Sequence, residues 1–179
     1  MKKNLIVAAI AAASVFVAFA PAAYAADGEI SIEGNITSKT CTINGGNKNF
    51  TVTLPTVSAG TLAVAGTWAG RTPFTIKLTN CSPTGGQVAT YFEPGPTVNK
   101  DTGRLRVDTG GATKVEIGLL TDAFASIDAA AAVGSQKSQV VSISTAGAAE
   151  LNYYAQYEST GGTTEGRVRT RVNYTMMYQ

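Results

Sequence analysis

Histidine is absent from this 179-residue chain. Without an imidazole there is no Ser-His-Asp or Cys-His relay. Cysteine is scarce: Cys41 and Cys81 stand 40 residues apart and form no CxxC pair, so the spacing of a zinc or redox site is missing. Charge is thin as well, at 15% of residues. The carboxylates are scattered, and nothing marks two of them as a general acid and base. No phosphate-cradling glycine loop, zinc motif or nucleophile elbow occurs. These absences point away from an enzyme and predict no cofactor and no metal.

Long apolar runs are also lacking after the first residues. Lys2 and Lys3 precede one such run, Leu5–Ala20, which leads into Ala23-Tyr24-Ala25. A short positive start, an apolar stretch and a small-x-small site make a secretory signal peptide. A membrane anchor needs about 20 apolar residues and a polar stop. Cleavage after Ala25 removes two of the fourteen basic residues and none of the twelve acidic ones. The mature chain is then neutral, where a nucleic-acid binder carries a basic surplus. No membrane span is expected in it. In an exported chain Cys41 and Cys81 are expected to form a disulfide; free thiols or half a metal site are the alternatives.

What is present is strand. "NFTVTL", "PFTIKLTNC", "QVATYF", "RLRVD", "KVEIGLL", "QVVSIS" and "AELNYYAQYES" are short segments bounded by Gly, Pro and polar residues. Such a series predicts an all-β sandwich or barrel. "FASIDAAAAVG" reads as a loop or a turn of helix, and "NGGNKN" as a hairpin loop. No repeat or linker marks a second domain after the signal peptide.

Two segments are unusually regular. "EISIEGNI" places Ile30, Ile32, Gly34 and Ile36 on one face and Glu29 and Glu33 on the other. Burying an isoleucine is worth about 1.5–3 kcal/mol, so this strand is expected to be covered by something. Gly34 reads either as a bend or as a spot where a neighbouring side chain needs room. "GRVRTRVNYTMMYQ", the last fourteen residues, alternates Gly166, Val168, Thr170, Val172, Tyr174, Met176 and Tyr178 against a polar face carrying Arg167, Arg169 and Arg171.

Several segments, in order, resemble the major-type (type 1-like) pilins of chaperone–usher fimbriae. "PFTIKLTNC" is similar to the family's strand into its second cysteine, "KVEIGLLTD" to its mid-chain strand and "ELNYYAQY" to its aromatic strand. "NYTMMYQ" is similar to its C-terminal signature, with a penultimate tyrosine (Tyr178) and a glycine fourteenth from the end (Gly166). The resemblance implies an incomplete immunoglobulin-like β-sandwich that lacks its final strand and is completed by a donor strand from a chaperone or a neighbouring subunit. Strand addition of this kind is a known mode of peptide recognition, and chaperone–pilin pairs are among its standard examples.

On that mapping, residues 1–25 are the signal peptide, 26–38 an N-terminal extension and 39–179 the pilin domain. Ile30, Ile32, Gly34 and Ile36 form the donor face. Gly166, Val168, Val172, Tyr174, Met176 and Tyr178 form the acceptor strand that chaperone and donor recognise. Glu29 and Glu33 against Arg167, Arg169 and Arg171 are candidate junction charges, or else simply keep an edge soluble. The implied partners are other copies of the chain, a periplasmic chaperone and an outer-membrane usher. The implied location is a surface fimbria used in adhesion.

Trp68 reads as a cap on the sandwich core, with a sugar-stacking role as the alternative. Alternation places Tyr153 and Tyr157 on one face and Tyr154 on the other. The competing reading of the whole chain is a self-contained secreted β-sandwich that binds carbohydrate. A shaft or adaptor subunit is favoured over a tip adhesin, since a tip protein of the resembled family adds a lectin domain for which this chain has no room.

Overall fold

The computed structural model describes residues 29–34, 36, 38 and 40–179. The expected signal peptide lies outside the described residues, as do parts of the expected extension. The chain divides into two units, Met1–Asn35 and Ile36–Gln179. In the first unit, residues 29–34 form no regular secondary structure and are exposed.

The second unit is built from two antiparallel sheets. The larger contains β1 (Thr40–Ile43), β2 (Trp68–Ser82), β8 (Ala149–Ser159), β5 (Val115–Thr121) and β4 (Leu105–Arg106) in that order, with β6 (Ser126–Ile127) also paired to β5. The smaller runs β7 (Val140–Ser142), β3 (Gln87–Phe92), β9 (Tyr174–Tyr178). This is a sandwich, one of the two all-β architectures expected from the strand series, and it has the immunoglobulin-like form that the resemblance implies.

Period-two alternation explains how the sheets meet. Along β2 and β8, Ile76, Leu78, Leu151 and Tyr153 are fully buried, while Lys77, Glu150 and Asn152 stay outside. From the smaller sheet, Val88 and Phe92 face them in one apolar core. The Phe92 and Tyr153 rings meet edge to face at 5.4 Å, an arrangement favoured by the ring quadrupoles. Tyr153 is buried and Tyr154 lies on the outer face against Phe124, which is the alternation read from the sequence. Cys41 and Cys81 form a disulfide that ties β1 to β2, with a Cα–Cα distance of 4.1 Å.

Of the two readings of "FASIDAAAAVG" the loop holds: the region contains turns and the short strand β6, with no helix. The two helical elements among the described residues are single 3-10 turns, Asn44–Gly46 and Ala59–Leu62. Three expectations are corrected. "NGGNKN" is not a hairpin loop: β1 pairs with β2, and the chain after Asn47 leaves the sheet. Trp68 does not cap the core; it opens β2, half exposed, with the Arg71 guanidinium 4.0 Å from its ring centroid. Finally, "NFTVTL" and the first part of the closing segment pair in no ladder, although their alternation is that of strands. The reason is a missing neighbour.

Candidate functional site

Between those two unpaired segments lies a groove of about 980 Å³. One rim is the stretch Lys48 to Leu54 and the other runs from Arg167 to Tyr174. Its floor includes Phe74, Ile76, Ile117, Leu119 and Ala155 of the larger sheet. The sandwich core is therefore open along one seam.

The second rim follows from local sequence. β9 pairs with β3 only over Tyr174–Tyr178, opposite Phe92–Val88. Beyond Phe92 the sequence Glu93-Pro94-Gly95-Pro96 ends the ladder, because proline supplies no N–H. The chain then crosses over, and its backbone takes up one edge of the rim. The carbonyls of Arg167, Arg169 and Asn173 accept from the N–H groups of Ala112, Asp108 and Glu93 at 3.0, 2.8 and 2.8 Å. The Arg171 carbonyl accepts from the Thr97 hydroxyl.

In an extended chain, alternate residues turn their N–H and C=O to opposite edges. Val168, Thr170 and Val172 thus present theirs to the groove, and among the described residues these groups have no hydrogen-bond partner. The first rim is alike: backbone groups of residues 49–57 have no partner among the described residues. The groove has two unsatisfied strand edges facing each other.

Inward side chains of the second rim are apolar, with one exception. Val168, Val172, Tyr174, Met176 and Tyr178 pack against the core while remaining partly exposed. Burial raises the pKa of the Tyr174, Tyr178 and Tyr157 phenols above the usual tyrosine value. The exception is Thr170. Its Oγ1 is buried and has no hydrogen-bond partner among the described residues. Thr170 is absent from the residues singled out in the sequence because it breaks the apolar face; the available signal was its β-branched shape at that two-residue spacing. At Gly166 the backbone, with φ of +150°, passes so close to Ala112 that a Cβ would stand 2.7 Å from its nitrogen.

One end of the groove is bridged. The Tyr174 hydroxyl donates to the Lys48 carbonyl at 2.7 Å, and the rings of Phe50 and Tyr174 lie 6.3 Å apart. On the outward face, Arg171 contacts Asp108 at 3.4 Å, whereas Arg167 and Arg169 form no ion pair among the described residues.

The expected donor face is free of apolar cover. Ile30, Ile32 and Ile36 are 88%, 91% and 99% exposed, and Glu29, Glu33 and Gly34 are exposed too. The structure does not bring these residues into a ladder. Among the described residues no group of three or more acidic or sulfur side chains has the geometry of a metal site, and no helix is long and apolar enough to cross a membrane.

Residues 54–179 match the family model described as "FimA: Type-1 fimbrial protein, A". The chain is similar to the major fimbrial subunit SMF-1 of Stenotrophomonas maltophilia, with 51% identity over 88% of this chain and 95% of the relative. It is similar to the F17 fimbrial protein of Escherichia coli, with 41% identity over 99% of each chain. Among solved structures, it shares its fold with a chain in the structure of a chaperone–usher pilus, at 20% identity and a TM-score of 0.59 over 86% of this chain and 96% of that one. The two-sheet sandwich, its open seam and these matches lead to one assignment: the chain belongs to the type-1 fimbrial protein family.

Proposed function

We propose that this chain is a structural, non-catalytic subunit that polymerises into a surface fimbria by inserting the strand around residues 29–36 of one copy into the groove of another. The observation that carries the reading is the pair of facing, unsatisfied strand edges over an open core, in a chain that also leaves Ile30, Ile32 and Ile36 exposed. A long open edge with apolar residues is an aggregation hazard unless something covers it. A donor strand satisfies both rims and removes three isoleucines from water. Each isoleucine contributes about 1.5–3 kcal/mol, and each main-chain hydrogen bond about 0.5–1.5 kcal/mol net.

Before assembly the same groove needs a temporary strand, which is the role of a periplasmic chaperone, and exchange takes place at an outer-membrane usher. Acceptor residues Gly166, Val168, Val172, Tyr174, Met176 and Tyr178 serve both occupants. The fimbrial relatives favour this reading over a self-contained carbohydrate-binding module.

The test moves residues 26–36, through a flexible linker, to the C-terminus. The natural form should be polymeric or unstable, and the rearranged form a stable monomer. A natural form that is a stable monomer, unchanged by deletion of 26–36, overturns the proposal.

A further inference from the structure

Outside the groove, the strand edges of the sandwich are short or blocked. Where β1 ends at Ile43, the Asn44 side chain accepts from the Lys77 N–H of β2 at 2.8 Å. Farther along, β2 carries Pro73 and a bulge between Ala69 and Thr72, two features that refuse a pairing strand. On the other side of the larger sheet, β4 and β6 are two residues each.

The far edge of the smaller sheet is closed in another way. β7 covers β3 only over Gln87–Ala89, and β3 continues to Phe92. The next residue, Glu93, donates its N–H towards the last strand, so Phe92 turns its own N–H and C=O the other way. Among the described residues no strand meets them. Both go to one side chain. Gln136 accepts from the Phe92 N–H at 2.9 Å and donates to the Phe92 carbonyl at 2.6 Å, the two bonds that a residue of a neighbouring strand would make. The same amide donates to the carbonyls of Ala129 and Ala131 at 3.2 and 3.3 Å. It thereby ties the loop from Asp128 to Gln139 over this edge, and Gln136 itself is only 3% exposed. The loop is also tied to the larger sheet. Ser138 meets the Tyr153 hydroxyl at 3.1 Å, and Gln139 accepts from the Asn152 N–H at 2.7 Å.

Resting on the strand-insertion reading, we propose that this loop limits each subunit to one acceptor site, and that Gln136 is the residue that holds it shut. The occupant kept out is the strand around residues 29–36 of another copy. That strand leaves Ile30, Ile32 and Ile36 exposed, and the end of β3 offers it free main-chain groups once the loop lets go. Growing polymers hold such strands at high local concentration. With one open edge the copies add head to tail into an unbranched filament. With two, the same strand has a second place to pair, and the filament branches or tangles.

The test adds a labelled synthetic peptide of residues 26–38 to assembled polymers and measures peptide bound per subunit. Natural polymers should bind it only at their ends. Gln136→Met keeps the length of the side chain and loses the amide's four bonds. Its polymers should bind at least about tenfold more peptide, at unchanged length, with branch points in electron micrographs. Uptake that shortens the polymer means that peptide has displaced strands from the groove, and overturns the proposal. A lower melting temperature without added uptake also overturns it and leaves Gln136 a packing residue. Chains that never polymerise, natural and variant alike, overturn strand insertion itself.

A milder variant serves if Gln136→Met does not fold. Ser138→Ala with Gln139→Ala changes two half-buried side chains and frees the same loop from the larger sheet. Peptide uptake should rise about two- to fivefold. Uptake equal to that of natural polymers overturns the proposal.

Discussion

The Tyr174 hydroxyl and the Lys48 carbonyl, 2.7 Å apart, join the two rims of the groove across a sequence separation of 126 residues. Tyr174 belongs to the last strand, and Lys48 begins the unpaired stretch after β1, so the contact holds the open seam together at one end. The bond is exposed to solvent, and its value is at the low end for a hydrogen bond. Tyr174→Phe keeps the ring against Phe50 and should cost about 0.5–1 kcal/mol, a shift of about 2–4 °C in the melting temperature. Tyr174→Ala also loses the ring and should cost about 2–3 kcal/mol. Thermal melts of the rearranged monomer check both; equal shifts would place the whole effect in the hydrogen bond.

Alkaline pH should act on the same seam. Burial raises the pKa of Tyr153, Tyr157, Tyr174 and Tyr178 above the unfolded value of 10.0. The folded protein then holds these protons more tightly than the unfolded chain does. Their stabilising contribution is full below pH 10 and falls as pH rises through the folded values. Ionised Tyr174 can no longer donate to Lys48. Melting temperature should be flat up to about pH 10 and drop above it, with Tyr174→Phe showing a shallower fall. A flat profile through strongly alkaline pH contradicts the assignment.

Loss of the disulfide, whose Cys81 lies in the core, should be among the most costly changes. Cys41 and Cys81 close a loop with a separation of 40 residues, and the chain-entropy account gives about 4 kcal/mol for such a loop. Cys41→Ser, Cys81→Ser and the double variant should all unfold at the same lower denaturant concentration. A double variant much weaker than either single one would mean that the serines act through packing.

At Gly166 the backbone calls for glycine whether or not the groove is occupied. A side chain there must adopt φ near +150° and displace the Ala112 nitrogen. Gly166→Ala should destabilise the monomer by about 1–3 kcal/mol even with the groove filled. An effect confined to polymer formation would instead make Gly166 a contact for the incoming strand.

The elements with a partner inside the chain were legible in the sequence. β3 spans the residues of "QVATYF" and β8 those of "AELNYYAQYES", because each pleat has one face on the core and two residues set its period. At the seam only half the information was there. Alternation in "NFTVTL" and "GRVRTRV" marks extended chain, but pairing is a property of two strands, and these face a gap. Trp68 was misread for a related reason: its place on the outer face depends on Arg71 and on where β2 begins. Thr170 was passed over because polarity on an apolar face looks like a lapse in pattern until the structure shows the hydroxyl buried and alone.

The outward charges should govern how fast junctions form. Glu29 and Glu33 are exposed, as are Arg167 and Arg169, and the latter two form no ion pair among the described residues. Arg171 already contacts Asp108 at 3.4 Å. Exposed cross-strand pairs are worth only about 0.2–1 kcal/mol each, too little to hold a polymer whose donor buries three isoleucines. Long-range attraction between the two faces still raises the encounter rate, and salt screens it. Glu29→Lys with Glu33→Lys should therefore slow assembly about two- to tenfold at low salt and reverse its salt dependence, with dissociation nearly unchanged. Arg167→Glu with Arg169→Glu in the same chain should restore much of the rate. Arg171→Gln should matter less than Arg169→Gln, because Asp108 already offsets that charge. Assembly rates that ignore both the reversal and the salt would leave these residues a simpler role, keeping an exposed edge soluble.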